Sequence, residues 1–341
     1  YTTFQPHGTS HDFEKYPQMW IATKFMIGLL AGTFAFFWLH SALWFYREYK
    51  DRKEGKDRPH IDTTELPESG KTHFRRFPKW WRLAHLIGAL SIMTLVLTGV
   101  GVLYSESSWA PGLMAMLGGP KVAAFVHRIA AVGFMGVFFV HLIYFAIRIA
   151  RNYETFEWFG PNSLIPNWQD LQDATEMFSW FLGLRSRPSF DRWTYWEKFD
   201  YWAVFWGMAI IGGSGMLLSF PDITAAIFPG WVFNVVMLIH GEEAFLAAVF
   251  LFTVHFFNNH FRPDKLPPPD VVMFTGTQSL KEFRRDHSMQ YDRLVETGEL
   301  DNYLVDAPSR PMTVGSKILG LTLIAIGLIL LFIVAAGFLE G

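Results

Sequence analysis

Six stretches of this 341-residue chain are apolar over the length needed to cross a bilayer, for which about 20 residues suffice. They run over Trp20–Tyr46, Lys79–Tyr104, Val122–Ile149, Phe199–Phe220, Val232–Phe261 and Gly315–Leu339. The pattern predicts an all-α integral membrane protein of six transmembrane helices. Trp20, Trp44, Trp80, Trp81, Trp202 and Trp231 fall at span ends, where aromatic rings meet lipid headgroups. Two polar loops carry helical signals of their own. Trp168, Leu171, Phe178, Phe181 and Leu182 share one helical face ahead of Gly183, which predicts an interfacial helix lying on the leaflet. Ser279 and Glu282 form a capping box expected to open one helix towards Gly298. Its Arg284, Arg285 and Arg293 are expected to be solvated or near headgroups.

Hydrophobic residues make up 51% of the chain and aromatics 17%, in keeping with lipid as the main solvent. The net charge of −2 says little, but its distribution orients the chain. If the spans alternate in direction, Arg47–Arg82, Arg148–Lys198 and Arg262–Lys317 lie on one side. They carry 11, 6 and 8 Lys or Arg, leaving only Lys15, Lys24, Lys121 and Arg128 opposite. The positive-inside rule makes the basic side cytoplasmic and turns both termini outward, as in a multi-pass protein of the inner membrane. Cysteine is absent, so this chain holds no disulfide, iron–sulfur cluster or c-type haem attachment. Any such centre belongs to a partner. The chain opens at Tyr1 without an initiator Met, ahead of an exported tail, which leaves room for a signal peptide or an upstream domain.

Three parts are expected. Residues 1–78 hold the outward tail, the first span and a basic loop; 79–262 hold four central spans; 263–341 hold a cytoplasmic segment and the last span. The first and last spans look peripheral, the last reading as a lipid-facing anchor. The middle four form a bundle whose core has room for cofactors between facing helices. Glycines at 88, 99, 101, 133, 136, 212, 213 and 215 permit close helix packing or a flat macrocycle against the backbone.

Seven of 12 histidines lie in or beside the spans: His40, His85, His127, His141, His240, His255 and His260. Ionisable residues inside a membrane are costly and mark function. The 15-residue step from His240 to His255 covers about 22 Å along a helix and is close to four turns, so both rings point roughly one way. Span direction sets two levels: His127 with His240 near the outside, His85 with His255 near the inside. An imidazole pair from two helices is what a six-coordinate b-type haem needs. A zinc or copper site needs ligands converging on one point, which two depths do not provide. His141 shares the inner depth and could replace His85 as ligand, line a quinone pocket or pack in the core. A third haem between His40 and His141 is a further alternative.

At these residues the chain resembles the cytochrome b gamma subunit of formate dehydrogenases and the related nickel–iron hydrogenase cytochromes b. The resemblance runs from about Phe74 to Arg262. It rests on Arg82 and His85 ahead of Leu97-Thr98-Gly99, on His127, on Glu197-Lys198 followed by Tyr201-Trp202, and on His240 and His255. It implies two haems b on His85, His127, His240 and His255, and a quinone site beside the inner haem. Where the family has an Asn that helps hold the quinone, this chain has Thr194. Asn258, Asn259 and His260 offer polar groups nearby, and Trp193 and Trp196 offer stacking surfaces. His260 and Asp191 could exchange protons with the quinone. Arg128 could neutralise propionates of the outer haem, and one of Glu242 and Glu243 could bond a propionate or water.

The expected protein is therefore the quinone-reactive subunit of a redox complex. Its partner is an extracytoplasmic subunit carrying c-type haems, iron–sulfur clusters or a catalytic metal, met by the tail with His7 and His11 and by the loop Ser105–Pro120. Membrane lipid is the other partner, and nucleic acid is not expected. The rival readings are a stand-alone transmembrane reductase for a small external acceptor, a proton or ion transporter relaying through Glu242, Glu243 and the histidines, and a structural anchor.

Overall fold

The computed structural model describes residues 12–55 and 70–340. Six helices are long and apolar enough to span a membrane: Pro17–Lys53, Lys79–Leu103, Pro120–Arg151, Tyr195–Ser219, Trp231–Phe261 and Arg310–Glu340. The fourth begins four residues before the apolar run because Thr194 and Glu197 form a capping box there. Its Oγ1 lies 3.3 Å from the Glu197 amide, while Glu197 accepts from the Thr194 amide at 2.9 Å. The fifth span sits centrally and packs on the first, second, fourth and sixth, so its residues reach every wall of the bundle.

Two spans depart from regular α-helix. The fourth has a π-helical turn at Met208–Gly212, and the fifth has two, at Leu251–His255 and Phe257–Phe261. Fifteen residues of regular helix overshoot four turns by about 60°. The wider π turn after Phe250 takes up part of that overshoot, which keeps the His240 and His255 rings on one wall.

The flanking spans are better integrated than their composition suggests. The last helix is not simply lipid-facing, because Gly320, Leu323, Ile324, Gly327, Leu330, Val334 and Gly337 form a buried stripe. A Cβ on Gly327 would stand 2.5 Å from the Phe256 ring, so only glycine lets the two helices meet. Trp44 is likewise no belt residue. The first helix continues to Lys53, which leaves Trp44 well inside it and fully buried. It packs with Trp180, Phe181, Trp196 and Phe257, and the Arg187 and Arg262 guanidiniums each lie 5.1 Å from its ring centre. The amphipathic helix forms over Trp168–Phe181, opened by an Asn167–Asp170 capping box. It buries Met177, Trp180 and Phe181 against the first span and leaves Trp168 and Leu171 exposed.

On the basic side the loops fold into a small cap. Strand β1 (His73–Arg75) pairs antiparallel with β2 (Thr277–Ser279) and β3 (Leu304–Val305), in the order β2-β1-β3. Phe74 stacks on Phe283 with ring centres 3.6 Å apart. The single helix expected after Ser279 is two, Leu280–Asp286 and Ser288–Glu296, broken at His287. His287 leaves helical geometry there and bonds the Asp191 carbonyl through Nδ1 at 2.7 Å. Nor are Arg285 and Arg293 simply solvated: they pair with Asp286 and Asp191, each at 2.7 Å.

Candidate functional site

Between the second, third, fourth and fifth spans lies a cavity of about 2500 Å³ with mostly apolar walls. Of the histidines lining it, four stand in two facing pairs. The ring centres of His127 and His240 are 6.4 Å apart, and those of His85 and His255 are 6.3 Å apart. Neither pair touches. A metal–imidazole bond is about 2 Å and a ring centre lies about 1 Å behind its nitrogen, so two imidazoles sharing one metal have centres about 6 Å apart. The gaps therefore fit a single iron between each pair, and the cavity gives a flat macrocycle room around it.

The other nitrogen of three rings is committed. The Thr98 hydroxyl donates to the Thr94 carbonyl at 2.7 Å, so towards His127 Nδ1, at 2.9 Å, it acts as acceptor. Ser214 repeats the arrangement, donating to the Ile210 carbonyl at 2.6 Å and accepting from His240 Nδ1 at 2.9 Å. His255 Nδ1 faces the Asp200 carboxylate at 3.2 Å. Each contact places the proton on Nδ1 and leaves the Nε2 lone pair free for a metal.

Glycine completes the outer pair. A Cβ on Gly99 would stand 3.4 Å from His127 Cε1, and one on Gly215 would stand 3.2 Å from His240 Cε1. Thr98-Gly99 and Ser214-Gly215 are thus the same two-residue device on opposite walls. The hydroxyl orients the imidazole and the glycine lets it lie close. In the sequence the device shows only as a hydroxyl residue followed by glycine inside an apolar span, a pattern that does not by itself reveal which ring it serves.

The remaining candidates divide. His141 bonds the Tyr201 hydroxyl through Nε2 at 2.8 Å and lies edge-on to Trp81. His40 is buried and bonds the Tyr195 hydroxyl at 2.5 Å amid Trp44, Phe178 and Phe181. The two are thus held by different tyrosines. Thr194 is occupied as the helix cap, and the Trp193 indole donates to the Asn162 carbonyl at 3.1 Å. Asp191 is held in an ion pair with Arg293 at 2.7 Å. Asn258 Nδ2 and His260 Nδ1 are buried without partners, while Asn259 donates to the His255 carbonyl at 2.8 Å. Arg128 lines the cavity one residue from His127. Of the two glutamates, Glu243 is the buried one, with Trp206 as hydrogen-bond donor. His7 and His11 lie outside the described residues.

A helical bundle spanning the membrane, with imidazoles facing across its core at metal-bridging separation, defines a class of integral membrane haem proteins. Residues 76–261 match the family model described as prokaryotic cytochrome b561, and the chain belongs to that family. The match covers the second to fifth spans with the cavity between them. Members bind haem b and carry electrons through the membrane, so this is a multi-pass membrane cytochrome b. No curated protein matches the chain.

Proposed function

We propose that His85 with His255, and His127 with His240, are the axial ligands of two haems b held at two depths. On this reading the chain passes electrons between a quinone near the basic side and a redox subunit on the opposite side. The carrying observation is the pair of imidazole gaps, 6.3 and 6.4 Å, produced independently at two levels of one bundle. Haem b supplies reversible one-electron exchange at its iron. The chain's own residues do the rest. Thr98, Ser214 and Asp200 fix the ring orientations, Gly99 and Gly215 admit the outer rings, and Arg128 offers a cation to the outer propionates.

For the quinone, the support is the orphaned Asn258 Nδ2 and His260 Nδ1 at the inner level of the cavity. Asn259, Trp193, Thr194 and His141 stand around the same end as wall residues. The haem-bearing unit on this reading is 79–262, flanked by 1–78 and 263–341. The charge asymmetry of the loops supports a cytoplasmic basic side in the inner membrane, with both termini outside. The partner then meets the opposite face, including the loop Ser105–Pro120, and carries c-type haems, iron–sulfur clusters or a catalytic metal.

Pyridine haemochrome quantification with a reduced-minus-oxidised spectrum tests the reading. Two haems b per chain are expected, and His127→Ala and His240→Ala should each remove the same one. If those variants lost different haems, or if folded protein were colourless, the pairing would fail.

A further inference from the structure

The segment after the family match lines the cavity with paired charges. Lys265 Nζ lies 2.8 Å from Asp270 and 3.1 Å from Asp286. Behind them, Asp286 accepts from Arg285 at 2.7 Å and from Gln278 at 3.0 Å. Lys265, Asp270, Asp286, Asn258 and His260 all line the one cavity. The Lys265 side chain is 13% exposed and that of Asp270 16%, so the cluster is nearly buried where it lines the cavity. An ammonium has three N–H donors and two are taken by carboxylates, which leaves one for a ligand or water.

We propose that Lys265, cradled by Asp270 and Asp286, is the group through which the quinone exchanges protons with water on the basic side, with His260 passing them along the cavity wall. The proposal rests on the quinone reading above. Converting one quinol to quinone breaks two O–H bonds, delivers two electrons in turn to the bundle and releases two protons. Quinone reduction forms both O–H bonds and takes up the same. A buried two-electron site therefore needs a proton path as much as an electron path.

The charges suit that work. Burial pulls the Lys265 ammonium down, but Asp286 and Asp270 outweigh it and raise its pKa, against the opposing charge of Arg262. The group therefore rests protonated, so it takes a proton from the quinol side only as it gives one to water, and it can hand its own proton to a quinone being reduced. The titratable or charged groups facing it are Asp270, Asp286 and Arg262, with His260 on the cavity side and Arg285 on the outer side. His260 Nδ1 and Asn258 Nδ2, like Arg262 Nε, are buried polar atoms without a partner on the wall of the same cavity.

The full chain in detergent, with a water-soluble short-chain quinol as probe, decides the matter. Wild-type haems are expected to be reduced by the quinol. Lys265→Met should slow that reduction on the order of 10²-fold and enlarge its solvent deuterium isotope effect. The visible spectrum and reduction by dithionite should not change, and added small amines should restore part of the rate. Wild-type rates in a variant with full haem, indifferent to amines, would overturn the proton route. Should Lys265→Met lose haem, Asp270→Asn keeps the ammonium paired with Asp286 and is read by the same rates. Wild-type haems that no quinol reduces would instead sink the quinone reading, a result distinct from a fast variant.

Discussion

On the proposed assignment, Asp200 makes the two haem levels electrically unequal. The proposed inner ligand His255 is held by a carboxylate, whereas His127 and His240 are held by neutral hydroxyls. Asp200→Asn keeps the shape and removes one negative charge. The carboxylate is 3.2 Å from Nδ1, and the ring and a metal bond add about 2 Å each, so the charge lies about 7 Å from the iron. At an effective dielectric of about 20, a unit charge at about 7 Å is worth about 2.4 kcal/mol. For a one-electron couple, where tenfold is about 59 mV, that is roughly 100 mV. The other oxygen of Asp200 is buried without a hydrogen-bond partner, so nearby donors do little to offset the charge. A carboxylate stabilises the oxidised, more positive iron, and removing it raises the potential. Redox titration of the visible bands should show the haem lost in His85→Ala shifting upward in Asp200→Asn while the other stays put. An unmoved inner potential, or a shift in the outer haem instead, would refute both the ligand assignment and the role of Asp200.

Further expectations follow from the same contacts. Ser214→Ala removes the hydroxyl acceptor of His240 Nδ1–H and leaves the Ile211 carbonyl as its partner, a loss of about 1 kcal/mol, and should loosen the outer haem about 10-fold in a haem-transfer assay; equal retention of both haems would count against it. Gly327→Val sets a side chain where Phe256 stands and should cost about 1–3 kcal/mol, read as a lower midpoint of thermal haem release. In the cap, burial first and Arg76 second push the His287 imidazole down from 6.5 to about 4. The unfolded segment takes up its proton below pH 6.5 while the folded cap resists until about 4. Cap stability present at neutral pH therefore falls across that window, by up to about 3 kcal/mol. The protection of residues 277–305, taken as their exchange rate relative to the intrinsic rate at each pH, should fall as pH drops, and His287→Gln should flatten the response.

The spans and the facing histidines were legible because both depend on local quantities. Span length follows from apolar runs, and the meeting of His240 with His127 and of His255 with His85 follows from rise per residue and span direction. What orients those rings was not legible. Thr98 and Ser214 reach across to other helices, and their roles depend on which carbonyl takes the hydroxyl proton. Asp200 reads as an ordinary interfacial acid until the fifth span is beside it. The cap was missed for a different reason. Its strands are two or three residues long and pair across some two hundred positions, as Phe74 does with Gln278, so neither periodicity nor length announces them. Trp44 was misplaced because a belt position was inferred from the apolar run, while the helix itself runs on to Lys53.

The boundary of the family match sharpens what the extra parts do. The match stops at residue 261, yet the cavity wall continues through Arg262, Lys265, Asp270 and Asp286, and through Gly320 and Leu323 of the last span. Four spans alone would lack that part of the wall and leave the Phe252–Phe256 face of the fifth span uncovered. Gly327 closes that face at backbone distance, and the cap lines its part of the wall with paired charges rather than apolar side chains. Paired charges keep hydrogen-bonding groups on that wall, which is what the proposed exchange of protons as well as electrons would require.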